Sequence, residues 1–153
     1  MSHNLLLGCG TMAICLGIQC VVVSVLLRVL FTLVAKKVLI TGIAWSSAIL
    51  IVVMFVLFAG NLVQIALWGC LFLFVEQFED FPTAFYHSIV NFTTLGYGDL
   101  VMSEERRLLG ALEAANGVLM FGLSTSVLYS VVRVFILRGW RQLAARQKSV
   151  SGA

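Results

Sequence analysis

The stretch Thr93-Thr94-Leu95-Gly96-Tyr97-Gly98-Asp99 decides the fold of this chain. It reads TTLGYGD and lies between two apolar segments long enough to cross a membrane. Glycine reaches backbone dihedrals that most side chains forbid, so a Gly-Tyr-Gly run lets successive carbonyl groups point the same way. In a soluble protein the same letters indicate a tight turn. The paired threonines and the flanking apolar segments favour aligned carbonyl groups over a tight turn.

The composition is that of a membrane protein. The chain has 153 residues, of which 61% are hydrophobic and only 11% are charged. Its mean hydropathy is +1.05, and a water-soluble domain of this size cannot bury so much apolar surface. We therefore expect a one-domain, all-α integral membrane protein. A nucleic-acid partner is not expected, because the basic residues behind the net charge of +3 cluster beside the apolar segments.

The apolar segments predict three membrane crossings. The first runs over residues 5–27 and is ended by Arg28. Residues 38–75 are too many for one untilted crossing, so residues 38–44 are expected to lie along the membrane surface. The predicted segments are an N-terminal helix with an interfacial part (1–37), a pore domain (38–137) with helices at about 45–75, 82–93 and 108–137, and a short basic tail (138–153).

The distribution of charge predicts the orientation. Basic residues follow the first and the last crossing, at Arg28, Lys36, Lys37, Arg138, Arg141, Arg146 and Lys148. With three crossings and one re-entrant segment, both clusters fall on the same side, and the positive-inside bias makes that side cytoplasmic. The chain is then expected to cross the cell membrane several times, with the N-terminus and Asp99 on the outer side and the C-terminus in the cytoplasm.

Residues 82–93 predict a short re-entrant helix. Pro82 favours a helix start, and the acidic Glu79 and Asp80 are favourable near a helix N-terminus. The segment is too short to cross the bilayer, but a short helix at membrane depth is tolerated inside protein. Its C-terminal end would direct the negative pole of the helix dipole toward a cavity and favour a cation there.

Together these residues resemble the potassium-channel pore-domain family, in which an outer helix, a pore helix, a selectivity filter and an inner helix follow one another. The resemblance covers roughly residues 45–137 and is most specific in TTLGYGD, in which it places the selectivity filter at residues 94–99. It implies passive conduction of K⁺, with no catalytic residue and no cofactor besides the permeant ions. A filter ring needs four strands and the chain supplies one, so we expect a homotetramer in the lipid bilayer.

The resemblance also implies a role for individual residues. The K⁺ sites would use the carbonyl groups of Thr94, Leu95, Gly96 and Tyr97, and the Thr94 hydroxyl would add the innermost ring. The predicted ion-binding residues are Thr94, Leu95, Gly96, Tyr97 and Gly98. The predicted residues of filter support and outer mouth are Thr93, Asp99, Tyr86 and His87. Leu95 departs from the family pattern, in which Val or Ile is usual.

Four positions keep two interpretations each. His87 is either a pH sensor or a packed, permanently neutral ring. Glu113, in the last crossing, either forms a structural hydrogen bond behind the filter or lines the pore. Gly117 and Gly122 are each a candidate gating hinge or a site of close helix packing, and distance from the filter favours Gly122 as the hinge.

The function also has alternatives. A less selective cation channel or a non-conducting channel subunit would share most of these features. A small helical-bundle membrane enzyme would fit the length and hydrophobicity but would leave TTLGYGD unexplained. The basic residues of the tail either bind anionic lipids or only orient the last crossing.

Overall fold

The computed structural model describes residues 2–35 and 43–151. Within these ranges the chain forms helices α1 (Ser2–Ala35), α2 (Ile43–Phe74), α3 (Phe81–Phe92) and α4 (Arg107–Ser151). Three of them contain segments long and apolar enough to cross a membrane, namely Ser2–Thr32, Trp45–Phe74 and Arg107–Leu137. The prediction of an all-α membrane protein with three crossings is confirmed.

Two helices extend further than the crossings that they contain. α1 continues through Arg28 to Ala35, and α4 continues past Leu137 to Ser151. The residues after Leu137 are mostly good helix formers without a proline, so nothing in the sequence stops the helix at the end of the apolar segment. The predicted interfacial residues Lys36, Lys37 and 38–42 lie outside the described residues.

The short helix α3 packs between α2 and α4, and α1 packs on the same two long helices. One apolar core joins all four helices around Trp68, Phe72 and Phe92, which are fully buried. A second core lies among α1, α2 and α4 and is built from Leu26, Val53, Leu57, Val127 and Val131. The first core holds α3 in position.

Polar side chains also attach α1 to the long helices. The Gln64 amide of α2 donates a 2.7 Å hydrogen bond to the Gln19 side-chain oxygen of α1. The Gln19 amide in turn donates to the Ser124 hydroxyl of α4 at 3.1 Å. Gln19 and Gln64 are fully buried. Because polar groups inside a membrane need partners, this chain of bonds fixes α1 against both helices.

Candidate functional site

The helix α3 starts at a well-formed cap. The carboxylate of Asp80 accepts hydrogen bonds from the Thr83 amide and the Thr83 hydroxyl, both at 2.9 Å. These two bonds hold the pKa of Asp80 below its usual value, and the bond from the Thr83 amide has the larger effect. Pro82 lies in the first turn, where its missing N–H has no helical partner to lose. The cap and the proline together fix where the helix begins.

The segment after α3 has an unusual backbone. Thr94, Gly96 and Gly98 have φ angles of +60°, +57° and +76°, in the left-handed region. Gly96 and Gly98 reach this region without a steric penalty, whereas Thr94, which is β-branched, is strained there. Strained residues of this kind concentrate at functional sites. The alternation of φ signs along residues 94–98 gives the segment a shape that is neither helix nor strand.

The amide groups of this segment bond back to the end of α3. The Thr94 amide donates to the Asn91 carbonyl at 2.9 Å, and the amides of Leu95 and Gly96 donate to the Val90 carbonyl at 2.9 and 3.3 Å. Across residues 2–35 and 43–151, no hydrogen bond ends on a carbonyl of residues 94–98. This row of carbonyl oxygens is therefore available to a ligand.

The outer end of the segment is braced from α3. The Tyr86 hydroxyl donates a 2.8 Å hydrogen bond to the Asp99 carboxylate. This bond raises the pKa of Tyr86 above its ordinary value, because an ionised phenol could no longer donate. The two residues were predicted separately as filter support and outer mouth, and the structure brings them into contact.

His87 lies in an aromatic cluster. Its ring centroid is 4.8 Å from that of Phe78 and 5.5 Å from that of Phe72. Burial lowers the pKa of His87, and the opposing influences of the Leu100 backbone and the Asp99 charge are smaller. A packed, neutral ring is the state that this environment favours.

Glu113 is fully buried and contacts α3. One carboxyl oxygen is hydrogen-bonded to the Ser88 hydroxyl, and the other accepts a 2.8 Å bond from the Asn91 amide. Of its two interpretations, the structure therefore favours the hydrogen bond behind the filter. Sequence reasoning missed Ser88 and Asn91. Their i, i+3 spacing, which places both on one face of α3, was the available signal.

The two candidate hinge glycines have different surroundings. A Cβ atom at Gly117 would lie well inside contact distance of the Phe92 carbonyl group, at the C-terminal turn of α3. A Cβ atom at Gly122 would have no other atom within 4 Å. The absence of a side chain at Gly117 is therefore needed for α4 to approach α3, whereas packing within the chain does not require glycine at Gly122.

The turn that follows the segment is attached to two other parts of the chain. The Gln77 side-chain oxygen accepts bonds from the Ser103 amide at 3.0 Å and the Ser103 hydroxyl at 2.8 Å. At the start of α1, Asn4 accepts a 2.6 Å bond from Arg106 and donates to the Glu105 carbonyl. The first residues of α1 thus lie on the same side as this turn.

Side chains provide no evident metal site. In the part of the chain that the structure describes, no three His, Cys, Asp or Glu residues are grouped so that they could hold a metal ion. The basic residues for which lipid contact was predicted, Arg138, Arg141, Arg146 and Lys148, have side chains outside the described part. The chemically distinctive feature that remains is the row of unbonded carbonyl oxygens at residues 94–98.

Comparisons with known proteins point to the same region. The family described as "Ion channel" matches residues 51–134, more than half of the chain. A protein of Oncorhynchus mykiss named potassium voltage-gated channel subfamily A member 2 is 39% identical over 64 residues. These residues are 41% of this chain but 13% of that protein, so the chain corresponds to a small part of that relative. No solved structure matches the chain.

Proposed function

This chain belongs to the ion channel family and is a channel, not an enzyme. We propose that it conducts K⁺ selectively and passively through a filter formed by residues 94–98 of four identical chains. The observation that carries the proposal is the row of carbonyl oxygens that accept no hydrogen bond within the described residues. In the known potassium filter, such oxygens replace the hydration shell of the ion. Thr94, Leu95, Gly96 and Tyr97 would supply the ion sites, and Gly98 would complete the filter.

Exposed side chains support assembly around an axis. Leu95 and Tyr97 are 55% and 67% exposed in the single chain, although they lie next to the proposed ion path. Large apolar and aromatic side chains that are exposed together mark an interaction surface. Neighbouring copies in a homotetramer would supply it, and cyclic symmetry would place four copies of residues 94–98 around one axis.

The end of α3 adds a favourable electrostatic contribution. α3 ends at Phe92, directly before residues 93–98, and its last turn contains no basic residue. The C-terminal end of a helix carries a partial negative charge. Four such ends directed at one cavity would stabilise a cation there, and Asp99 would concentrate cations at the outer mouth.

We also propose that the channel lies in the cell membrane with the N-terminus and Asp99 outside and the C-terminus in the cytoplasm. The contact of Asn4 with Arg106 supports a common side for the N-terminus and the outer mouth. The basic residues at the opposite ends of the crossings support the cytoplasmic assignment.

Flux measurements on the purified protein in liposomes test the function. We expect K⁺ flux that barium blocks and that sodium does not replace. Gly96→Ala should abolish it, because alanine at a φ of +57° costs about 1–2 kcal/mol in each chain. Gly10→Ala is the matched control, since a Cβ atom there has no other atom within 4 Å. Equal sodium flux would indicate a less selective channel, and absence of any flux would indicate a non-conducting subunit.

A further inference from the structure

The carboxyl group of Glu113 connects the inner helix to the filter through α3. Asn91 accepts a 2.9 Å bond from the Thr94 amide on its backbone carbonyl. Its side-chain amide donates to the Gly110 carbonyl at 2.7 Å and to Glu113 at 2.8 Å. Glu113 is therefore two hydrogen bonds away from the backbone of the proposed innermost ion site. A change at Glu113 can reach that site through Asn91.

The hydrogen bonds around Ser88 need one proton more than the Ser88 hydroxyl itself carries. The Ser88 hydroxyl lies 2.8 Å from the Ile65 carbonyl oxygen and is also hydrogen-bonded to Glu113. A hydroxyl has one proton, and the Ile65 carbonyl can only accept. If Glu113 were ionised, two acceptors would compete for that single proton. If Glu113 carries its own proton, it donates to Ser88, and Ser88 donates to Ile65.

Among the residues that the structure describes, none beside Glu113 carries a positive charge that would balance a carboxylate. From α3 it contacts the uncharged Ser88 and Asn91, and from α2 the Ile65 carbonyl is bonded to the same Ser88 hydroxyl. The titratable side chain that faces it from α1 is the thiol of Cys15, which is also fully buried. A buried carboxylate without a cationic partner is strongly unfavourable.

We propose that Glu113 is a positioning residue that carries a proton, and that its neutral carboxyl group clamps α4 to α3 and so holds the filter in its conducting shape. Loss of the proton leaves Ser88 with one proton for two acceptors, so its bond either to Glu113 or to Ile65 is lost, and it places a charge behind the proposed filter. The channel therefore loses conduction as the pH rises. This inference rests on the proposed conduction of K⁺.

Glu113→Gln keeps the hydrogen-bonding geometry of Glu113 but removes its ability to ionise. Its amide nitrogen can donate to Ser88, its oxygen can accept from Asn91, and it cannot ionise. We expect the variant to conduct within about twofold of the unaltered protein at neutral pH, because both hydrogen bonds remain. In alkaline buffer the K⁺ flux through the unaltered protein should fall about tenfold, because a buried hydrogen bond is lost. The flux through Glu113→Gln should not fall.

The control is Glu104→Gln, which removes an exposed carboxyl group in the outer turn and should keep the alkaline loss. Parallel pH profiles for Glu113→Gln and the unaltered protein would overturn the proposal. So would absence of flux in Glu113→Gln at neutral pH when gel filtration shows the normal oligomer.

Infrared spectroscopy tests whether Glu113 carries a proton, and this test does not depend on K⁺ flux. At neutral pH the unaltered protein should show the C=O stretch of a protonated carboxyl group, and Glu113→Gln should lack this band. If the unaltered protein conducts no K⁺ but shows the band, the proposed function fails and the protonated clamp stands. If the band is missing in the unaltered protein, the clamp is refuted whatever the flux.

Discussion

The hydroxyl of Tyr86 donates a 2.8 Å hydrogen bond to the carboxylate of Asp99, and this bond joins the middle of α3 to the residue that ends the TTLGYGD stretch. At the other end of the stretch, the Thr94 amide bonds to the Asn91 carbonyl. The segment between is thus attached to α3 at both ends. Its carbonyl oxygens are held in place, and none of them accepts a hydrogen bond from residues 2–35 or 43–151.

We predict that Tyr86→Phe weakens the outer attachment and leaves the fold intact. The ring stays, but the bond to Asp99 is lost, so K⁺ flux should decay faster during continuous conduction. Tyr129→Phe is the matched control, because Tyr129 is 67% exposed on α4. Flux time courses in liposomes would check this. Identical decay in the two variants would show that the Tyr86 bond does not support the proposed filter.

Gly117→Ala should destabilise the protein, whereas Gly122→Ala should not. The added methyl group at Gly117 overlaps the Phe92 carbonyl group, and α3 must move away from α4. Overpacking of this kind costs about 1–3 kcal/mol. Thermal unfolding in detergent measures the difference, and the open surroundings of Gly122 make it the control. Equal unfolding temperatures would mean that α4 does not approach α3 so closely.

His87 should make the fold sensitive to acid without making conduction sensitive near neutral pH. Burial lowers its pKa in the folded state, so protons bind the unfolded chain more strongly. Stability is then complete above the unfolded pKa of His87 and falls as the pH drops below it. His87→Phe should flatten the acid side of the unfolding curve and leave the neutral flux profile unchanged. A flux profile that shifts near neutrality in this variant would restore the pH-sensor interpretation.

Gln19→Leu should loosen α1 from the other crossings. It removes the bonds to Gln64 and Ser124, and an interhelical hydrogen bond in a membrane contributes roughly 0.6 kcal/mol. The freed Gln64 amide, fully buried, adds to the loss. We expect a lower unfolding temperature than for Cys20→Leu, which alters an exposed position beside it. If the two variants unfold alike, α1 is held by apolar packing alone.

The sequence predicts the elements of this fold well because each has a local signal. Three apolar segments give the crossings, and Asp80 with Pro82 gives the start of α3. The continuation of α4 to Ser151 was not predicted, because hydropathy marks where a crossing ends and not where a helix ends. Helix propensity, which favours the continuation, is a separate signal.

Contacts between distant residues could not be read from the sequence. Glu113 shares a helix face with Asn116, Met120 and Ser124, because these residues follow it at i+3, i+7 and i+11. In the structure that face is divided, because Glu113 bonds to α3 whereas Ser124 bonds to α1. Periodicity shows which side chains are neighbours on a helix, but the partner of each depends on how the helices cross.

The central claim is that residues 94–98 of four chains converge on one axis and bind K⁺ with backbone oxygens. Electron cryomicroscopy of the purified protein, in potassium and then in sodium, tests it most directly. We predict a four-fold particle with a row of ion densities on the axis between Tyr97 and Thr94 in potassium, and a weakened row in sodium. A monomer or dimer, or a TTLGYGD segment turned away from any axis with no ion beside it, would contradict the account.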